Sequence, residues 1–241
     1  MSDGTGFRVQ RFSQLELDEA WLSRACRTIW GQMDERHHGV SIVDAPGGGS
    51  LVLKAGRSRR FRRSRSHAAA RMALRLGRAG VRTPEAHAVC SQDPGGLRLL
   101  VMEHVGALDM ENLLLSEDAG DWVSAMVRSI AAMHAADVRH RDLKASNVLL
   151  VRGEAGPEAW LIDLDGARHL PFGVGLSRRA RDLARLELSL DIMGADGAEL
   201  LQRYVPLAGW SPAQSARARR VIDAYKIHKR ARNARTGREL K

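Results

Sequence analysis

The sequence predicts an α+β protein with a small β-rich N-terminal part and a mainly helical C-terminal part. Short β-rich runs separated by turns cluster between residues 40 and 101, whereas the strongest helical pattern lies at residues 121–136 and further helical patterns follow residue 166. We expect four regions: an N-terminal helical segment at 1–35, a β-rich part at 36–105, a mainly helical part at 106–210 and a basic helix or tail at 211–241.

The length and composition allow one large domain or a two-lobed one with a substantial core. The chain has 241 residues, of which 44% are hydrophobic. It contains no run of about 18 apolar residues, which excludes a membrane-spanning helix, and its N-terminus lacks the apolar stretch of a signal peptide. Cys26 and Cys90 are far apart in the sequence, which indicates a reducing compartment rather than a zinc site. We therefore expect a cytoplasmic protein.

Positive charge is concentrated in two segments. The net charge is +10; residues 54–84 contain eleven Lys or Arg and no acid, and residues 217–241 contain ten against two acids. The rest of the chain is therefore net negative. The two basic segments indicate a phosphate-rich partner, such as an anionic membrane leaflet, a phosphorylated glycolipid or nucleic acid. The alternative is a solvated surface that keeps the protein soluble.

The N-terminal part contains a helical pattern followed by a hairpin. Apolar residues recur mostly every three or four positions through residues 13–33, and Asp18 is a candidate helix cap. Two β-rich runs, Val40–Val43 and Leu51–Lys54, flank a turn with three consecutive glycines at 47–49. Because these glycines lie between the strands and not before them, we interpret them as a flexible turn rather than as a phosphate-binding loop.

A helix and two further strands complete the β-rich part. Residues 66–79 carry apolar side chains on one helical face and are followed by the helix-stopping Gly80. β-rich runs at Glu85–Cys90 and Leu97–Val101 then flank a turn. The next residues, 102–105, are expected to form a connection that either offers backbone groups to a ligand or is an ordinary part of the core.

The helix predicted at residues 121–136 leads into the segment that carries the chemistry. Its apolar residues form one stripe, and Asp121 is the predicted cap. Residues 134–166 follow with the sequence HAADVRHRDLKASNVLLVRGEAGPEAWLIDLDG. This segment predicts a loop, a strand, a turn and a second strand that ends near Asp163.

Four polar residues of this segment match the needs of phosphoryl transfer. That reaction uses a carboxylate to accept the proton of the attacking hydroxyl, a cation on the moving phosphoryl group and oxygen ligands for Mg²⁺. Asp142, Lys144, Asn147 and Asp163 supply these groups in that order.

His140–Asn147 resembles the catalytic loop of the protein-kinase superfamily, and the sequence Ile-Asp-Leu-Asp-Gly that ends at Gly166 resembles its metal-binding segment. The resemblance implies a bilobal protein-kinase-like fold with a small β-rich N-lobe at 36–105 and a truncated, mainly helical C-lobe at 106–210. It also implies the cofactors ATP and Mg²⁺.

The superfamily resemblance extends to the β-rich part. Lys54 ends a strand and is similar to the lysine that neutralises the α- and β-phosphates of the nucleotide. Glu103 lies in the hinge-like stretch Met102–Val105, whose backbone would meet the adenine. The helix at 66–79 has no acid to pair with Lys54, so Lys54 needs another partner, such as Asp163, or the protein has little activity.

The motifs GVRTP, HRDL…N, IDLDGAR, RRxRDLARLxxSL and LLQRYV together resemble the bacterial lipopolysaccharide core kinases, which phosphorylate heptose or Kdo sugars. This resemblance covers roughly residues 40–205. It implies that Asp142 is the catalytic base, that Lys144 contacts phosphate, and that Asn147 and Asp163 bind the metal. Asp165 is a further metal-binding or substrate-orienting candidate, with a surface acid as the alternative. The implied acceptor is the glycolipid at the inner face of the cytoplasmic membrane, with peripheral contact to the anionic membrane surface.

Three other functions fit part of the sequence. A small protein Ser/Thr kinase fits the complete His-Arg-Asp-Leu-Lys motif, but the chain lacks a long activation segment and an Ala-Pro-Glu motif. A kinase-like ATPase of a transfer-RNA modification complex would explain the basic C-terminal segment, although the sequence favours nucleic acid less than glycolipid. A pseudokinase that acts as a binding module fits the missing helix acid.

Overall fold

A computed structural model describes residues 7–31, 38–57, 64–92 and 96–236 as a mixture of helices and antiparallel sheet. This confirms the predicted α+β class. The chain divides into two compact units. The first unit ends at Val105, and the second unit runs from Gly106 onwards and also includes Arg78–Thr83.

The described part of the first unit forms an antiparallel five-stranded sheet in the order β1-β4-β5-β3-β2. Its elements are β1 (Phe7–Arg11), α1 (Glu19–Gly31), β2 (His38–Asp44), β3 (Ser50–Arg57), α2 (Arg65–Arg78), β4 (Ala86–Gln92) and β5 (Leu97–Glu103).

The predicted hairpin is confirmed. Strands β2 and β3 pair from His38 opposite Gly56 to Asp44 opposite Ser50. The three glycines at 47–49 occupy the turn with φ angles of 92°, 104° and 79°, a region that L-residues rarely adopt. The glycines are therefore needed for the backbone conformation of the turn. A nucleotide-covering loop of the kinase type would lie near residues 35–39, before the two strands, and residues 35–37 of that stretch lie outside the described residues.

Helix α1 covers one face of the sheet. Its fully buried residues Leu22, Cys26 and Ile29 pack into one core with apolar side chains of β3, β4 and β5. The predicted cap is confirmed, because the Trp21 amide donates to Asp18 Oδ1 at 2.6 Å.

The two cysteines, distant in sequence, are adjacent in this core. Both Cys26 and Cys90 are buried free thiols. A hydrogen bond to Cys90 and burial raise the pKa of the Cys26 thiol. The same hydrogen bond lowers the pKa of the Cys90 thiol. The two thiols are therefore a packed part of the core.

Strand β1 is a difference from the predicted N-terminal helical segment. It pairs with β4 from Phe7 opposite Gln92 to Arg11 opposite Ala88. The strand contains few apolar residues, so its alternation is too weak to predict it. Its pairing partner lies about eighty positions later in the chain, and this long-range ladder decides the conformation.

The second unit is mainly helical. Its described elements are α3 (Met110–Leu114), α4 (Ala119–Ala135), β6 (Val138–Arg139), β7 (Val148–Gly153), β8 (Gly156–Leu161), β9 (Arg168–His169), α5 (Leu176–Ile192), α6 (Ala198–Ala208) and α7 (Pro212–Thr236). Strand β6 pairs with β9, and β7 pairs with β8.

Helix α4 confirms the helix predicted at 121–136, but the predicted cap was wrong. Asp118 occupies the N-cap position, and Asp121 lies in the first turn. The helix begins two residues earlier than predicted because Ala119 and Gly120 join its first turn. Asp121 still has a favourable position, since a carboxylate near a helix N-terminus interacts well with the helix dipole.

Helix α7 packs on α5 through ion pairs. Glu187, only 1% exposed, lies 2.9 Å from an Arg219 nitrogen and 2.8 Å from Lys226 Nζ. Asp191 lies 2.7 Å from Lys226 Nζ and 3.1 Å from an Arg230 nitrogen. Burial lowers the pKa of Lys226, but its hydrogen bonds to Asp191 and Glu187 outweigh burial and raise it overall. Part of the basic C-terminal segment is therefore structural.

No helix in the described ranges is both long and apolar enough to cross a membrane.

Candidate active site

The loop between β6 and β7 carries the predicted catalytic residues. Leu143 is completely buried and anchors the loop, whereas Asp142 is exposed and Lys144 is half-buried. A short 3₁₀ turn, Ala145–Asn147, then leads directly into β7. The buried Leu143 therefore holds the loop in place while Asp142 stays exposed to solvent.

Asn147 is held beside Asp142. Its side-chain Nδ2 donates to the Asp142 carbonyl oxygen at 2.7 Å, and its backbone amide donates to the Lys144 carbonyl oxygen at 2.9 Å. Asn147 is 5% exposed. The side-chain nitrogen Nδ2 is used as a donor within the loop. The side-chain oxygen Oδ1 is therefore the atom of Asn147 suited to bind a cation.

The segment that contains Asp163 is tied to this loop on both sides of Ile162. His140 Nε2 donates to the Ile162 carbonyl oxygen at 2.8 Å, and the Ile162 amide donates to the Asn147 carbonyl oxygen at 3.1 Å. Arg141 also donates to the Gly166 carbonyl oxygen at 3.4 Å. The structure therefore joins the loop that carries Asp142 and Asn147 and the segment that contains Asp163 into one hydrogen-bonded assembly.

Two residues of this assembly adopt positive φ angles. Arg141 has a φ angle of 73°, and Asp163 has φ and ψ angles of 58° and 50°. Left-handed backbone in residues other than glycine costs about 1–3 kcal/mol and persists where surrounding contacts fix it. The hydrogen bonds of His140, Arg141 and Ile162 provide such contacts.

Two residues of helix α5, neither of which was predicted from the sequence as a functional residue, fix the position of the loop. Asp182 Oδ2 accepts the His140 amide at 2.9 Å, and Asp182 Oδ1 accepts the Arg141 amide at 3.3 Å. Further along the helix, Ser189 Oγ accepts the Ala145 amide at 2.7 Å. The two side chains hold the loop on both sides of Asp142.

Asp182 is fully buried in a positively charged environment. Arg139 and Arg185 nitrogens each lie 3.4 Å from Asp182 Oδ1, and His134 Nε2 lies 3.6 Å from Oδ2. Burial alone would raise the pKa of Asp182, but the interactions with His134, Arg139 and Arg185 lower it overall. Asp182 is therefore ionised at neutral pH.

His134 connects Asp182 to helix α6. Its Nδ1 is 2.8 Å from the Tyr204 hydroxyl, and both side chains are fully buried. Burial lowers the pKa of His134 despite the opposing effect of Asp182, and burial raises the pKa of Tyr204 to about 12. Neutral His134 therefore accepts a hydrogen bond from the Tyr204 hydroxyl through Nδ1.

Stability should fall as the pH drops below about 6.5, because an unfolded histidine gains a proton there and buried His134 does not. We expect the urea midpoint of the wild type to be lower at about pH 5.5 than at about pH 7.5. Replacing His134 by Gln should reduce this difference. The less buried His67 and His87, whose pKa values burial also lowers, would account for the remainder. If the difference between the urea midpoints at the two pH values is the same in the variant as in the wild type, His134 does not contribute to the pH dependence of stability.

In the first unit, Lys54 lies on a partly exposed face of the sheet. Across β2 and β3, Val40 pairs with Lys54 and Ile42 pairs with Val52, and paired residues of an antiparallel ladder share a face. Val40 and Ile42 are 65% and 60% exposed. Helix α1 covers the opposite face, so this face combines one ammonium group with exposed apolar side chains.

Glu103 ends strand β5 in the same unit. Its amide donates to the Glu85 carbonyl oxygen at 2.9 Å, and its Oε2 accepts the Glu85 amide at 3.0 Å. These contacts use the Glu103 side chain to close the end of the sheet.

A model of the lipopolysaccharide kinase (Kdo/WaaP) family matches residues 26–204. The chain belongs to this family. It is therefore a kinase, a phosphotransferase that acts on lipopolysaccharide. The matched range includes Lys54, the loop around Asp142, Asp163 and Asp182. No curated protein matches the chain.

The kinase has no acid on α2 that could pair with Lys54, since the helix sequence RSHAAARMALRLGR contains none. The structure therefore leaves unchanged the expectation that Lys54 needs a partner outside this helix. Any acidic partner of Lys54 must come from another part of the chain.

The donor atoms of the kinase fit a magnesium ion that is shared with a nucleotide. Within the residues that the structure describes, no group of three or more His, Cys, Asp and Glu side chains could hold a metal ion alone. Mg²⁺ in phosphoryl-transfer sites is bound by only one or two carboxylates together with phosphate oxygens. The carboxylate of Asp163 and the amide oxygen of Asn147 are a suitable pair.

Proposed function

We propose that this lipopolysaccharide kinase transfers the γ-phosphoryl group of ATP to a sugar hydroxyl of the lipopolysaccharide inner core. The observation that carries the proposal is the hydrogen-bonded assembly of the Asp142 loop with the segment that contains Asp163. An exposed carboxylate, a nearby amine and two metal-type oxygen ligands are held there on buried supports. This arrangement suits positioning and electrostatic catalysis, which phosphoryl transfer requires.

In this proposal Asp142 accepts the proton of the sugar hydroxyl. Its exposure allows a bulky glycolipid headgroup to approach, and the Asn147 hydrogen bond to its carbonyl oxygen fixes its backbone. Proton transfer by a positioned carboxylate accelerates such reactions by about 10²- to 10⁴-fold. Lys144, two residues later in the loop, contacts the transferred phosphoryl group with its ammonium group.

Asn147 and Asp163 would hold Mg²⁺ through the amide oxygen and the carboxylate. When bound, the ion neutralises charge on the nucleotide phosphates. The left-handed backbone of Asp163 and its fixed neighbour Ile162 orient the carboxylate before binding. Asp165, next to the buried Leu164, is a further carboxylate for orienting substrate.

The first unit supplies nucleotide-binding groups in the same proposal. The apolar face formed by Val40, Ile42 and Val52 suits a planar base, and Lys54 on this face suits nucleotide phosphates. Backbone groups after Glu103 would bind the adenine edge. These roles correspond to a bilobal kinase-like fold with a β-rich N-lobe and a helical C-lobe, and the acceptor implies work at the inner face of the cytoplasmic membrane.

Replacing Lys54 by Ala should weaken ATP binding by about tenfold or more, because one charge-assisted contact to the phosphates is lost. The matched control is Arg24→Ala, which removes an exposed cation from α1 on the covered side of the sheet. Nucleotide affinity can be measured by calorimetry with a non-hydrolysable ATP analogue. Equal affinities for Lys54→Ala and the wild type would contradict the role of Lys54.

Labelled ATP with three acceptors tests the function as a whole. We expect transfer to lipopolysaccharide core, and none to a generic basic protein or to transfer RNA. Transfer to the protein would favour a Ser/Thr kinase, and ATP hydrolysis stimulated by transfer RNA would favour an ATPase of a modification complex. Neither transfer nor hydrolysis by folded wild-type protein would indicate a pseudokinase.

A further inference from the structure

The loop after β9 holds an aromatic side chain in solvent. Phe172 is 101% exposed, which is the highest value among the exposed large hydrophobic residues of the described chain. It lies at the tip of a β-turn that the Gly173 amide closes by donating to the Leu170 carbonyl oxygen at 2.9 Å. A ring with this exposure buries none of its apolar surface within the chain, so it contributes nothing to the core.

The turn that presents Phe172 is firmly built. Gly173 has a φ angle of 86°, and the Leu170 amide donates to the Asp137 carbonyl oxygen at 2.8 Å. On the other side Val174 is 2% exposed, and its carbonyl oxygen accepts Arg179 Nε at 2.6 Å. The exposure of the ring is therefore a fixed feature of the fold and not the result of a loose loop.

The chain segment that contains the turn carries a net positive charge, and one acidic group from outside the segment, the Asp137 carboxylate, lies next to Gly173. Residues 166–181 contain four arginines and no acid. Arg168 precedes the turn, and Arg178 and Arg181 follow it in the first turns of α5; all three are exposed. An aromatic ring combined with guanidinium groups is the chemistry of proteins that lie at the surface of anionic bilayers.

We propose that the turn Leu170–Gly173 docks on an anionic bilayer, with Phe172 inserted at the headgroup level and Arg168, Arg178 and Arg181 on lipid phosphates. The charge of the segment favours a bilayer, because an apolar protein partner would not require three exposed arginines in the same segment as the ring. The proposal deepens the proposed function, since a membrane glycolipid acceptor would lie in the same surface.

The docking turn is directly connected to the catalytic loop. Strand β9 pairs with β6, with Val138 opposite His169 and Arg139 opposite Arg168. Strand β6 continues into the loop with Asp142, and β9 follows the segment with Asp163. Docking by Phe172 would therefore hold the catalytic loop of the kinase near the surface that contains the acceptor.

Vesicle co-sedimentation of the full chain tests the docking turn. We expect the wild type to bind vesicles of phosphatidylglycerol and phosphatidylcholine, and to bind pure phosphatidylcholine poorly. Phe172→Ala should bind the anionic vesicles about tenfold more weakly, whereas Phe172→Trp should retain the affinity. The matched control is Leu115→Ala, which removes another exposed apolar side chain, 64% exposed, beside the acidic Glu117 and Asp118.

Equal binding of Phe172→Ala and the wild type, or no preference of the wild type for anionic lipid, would overturn the proposal. The substitution should leave the melting temperature unchanged, since the ring buries no apolar surface. Vesicle binding needs neither ATP nor activity, so its outcome is independent of whether the kinase function is correct.

Transfer of phosphate to a water-soluble, delipidated core oligosaccharide separates the two proposals. Phe172→Ala should match the wild type on this acceptor and be slower on vesicle-embedded lipopolysaccharide. A loss of activity on the soluble acceptor would mean that the ring contacts the sugar, which contradicts docking on the bilayer. Vesicle binding by a wild type that transfers no phosphate would refute the proposed function and leave the docking surface intact.

Discussion

Replacing Asp142 by Asn should reduce the turnover of lipopolysaccharide phosphorylation by about 10²- to 10⁴-fold. An amide has nearly the same shape as the carboxylate but cannot accept the proton of the sugar hydroxyl. The backbone of residue 142 should keep its position, because its carbonyl oxygen is held by Asn147 Nδ2 and the neighbouring His140 and Arg141 amides are held by Asp182. Nucleotide affinity should therefore remain close to that of the wild type.

The matched control for this variant is Asp121→Asn, which removes an exposed carboxylate from the first turn of α4. Both variants can be compared by steady-state phosphorylation of core oligosaccharide and by calorimetric titration of nucleotide. The role of Asp142 as a base is refuted by turnover within about twofold of the wild type, since a general base contributes far more. A large loss of nucleotide affinity with unchanged turnover at saturation would make Asp142 a binding residue.

Replacing Asp182 by Ala is expected to have the largest effect on stability. Removing one partner from a buried charged network costs about 3–5 kcal/mol of unfolding free energy, because the remaining charges stay buried without compensation. Here Arg139, Arg185 and His134 lose their shared carboxylate, and the amides of His140 and Arg141 lose their acceptor. The measurement is urea unfolding followed by circular dichroism.

Asp182→Asn provides a variant that should still fold, since its side-chain oxygen can accept one of the two loop amides. We expect a smaller loss of stability and a fall in turnover without a matching rise in KM, because the loop is less firmly positioned. Asp223→Ala, which removes a carboxylate of α7 that is 54% exposed, is the control and should be neutral. If Asp182→Asn retains full turnover, the carboxylate does not position the catalytic loop.

The sequence predicted the features that depend on local signals. The hairpin of β2 and β3 follows from two β-rich runs around three glycines, and α4 follows from one apolar stripe. The cap at Asp18 is likewise decided by its own neighbours. The cap predicted at Asp121 failed because the first turn of α4 contains Ala119 and Gly120, which carry no apolar signal.

Features that depend on distant partners were not predictable in the same way. Strand β1 exists because β4 offers it a hydrogen-bonded edge, and Cys26 meets Cys90 only through packing of α1 on the sheet. The hydrogen bonds from the catalytic loop to Asp182 and Ser189 also join residues about forty positions apart. One signal was present: Asp182 lies four residues before Leu186 on the apolar face of a predicted helix, where an acid requires partners.

The kinase motif has some features that the sequence predicted and others that it could not predict. The spacing of Asp142, Lys144, Asn147 and Asp163 predicted an assembled site, and the structure brings the loop and the Asp163 segment together through Ile162. Their chemical roles stay predictions. The positive φ angles of Arg141 and Asp163 could not be read from the sequence, because neither residue type prefers that conformation strongly enough.

Mass spectrometry of a delipidated core oligosaccharide, after incubation with ATP, Mg²⁺ and the protein, tests the central claim most directly. With the wild type we expect a product that has gained one phosphate group, and with Asp142→Asn we expect almost none in the same time. An oligosaccharide left unmodified by folded wild type, or modified equally by both proteins, would contradict an Asp142-dependent phosphorylation of the inner core.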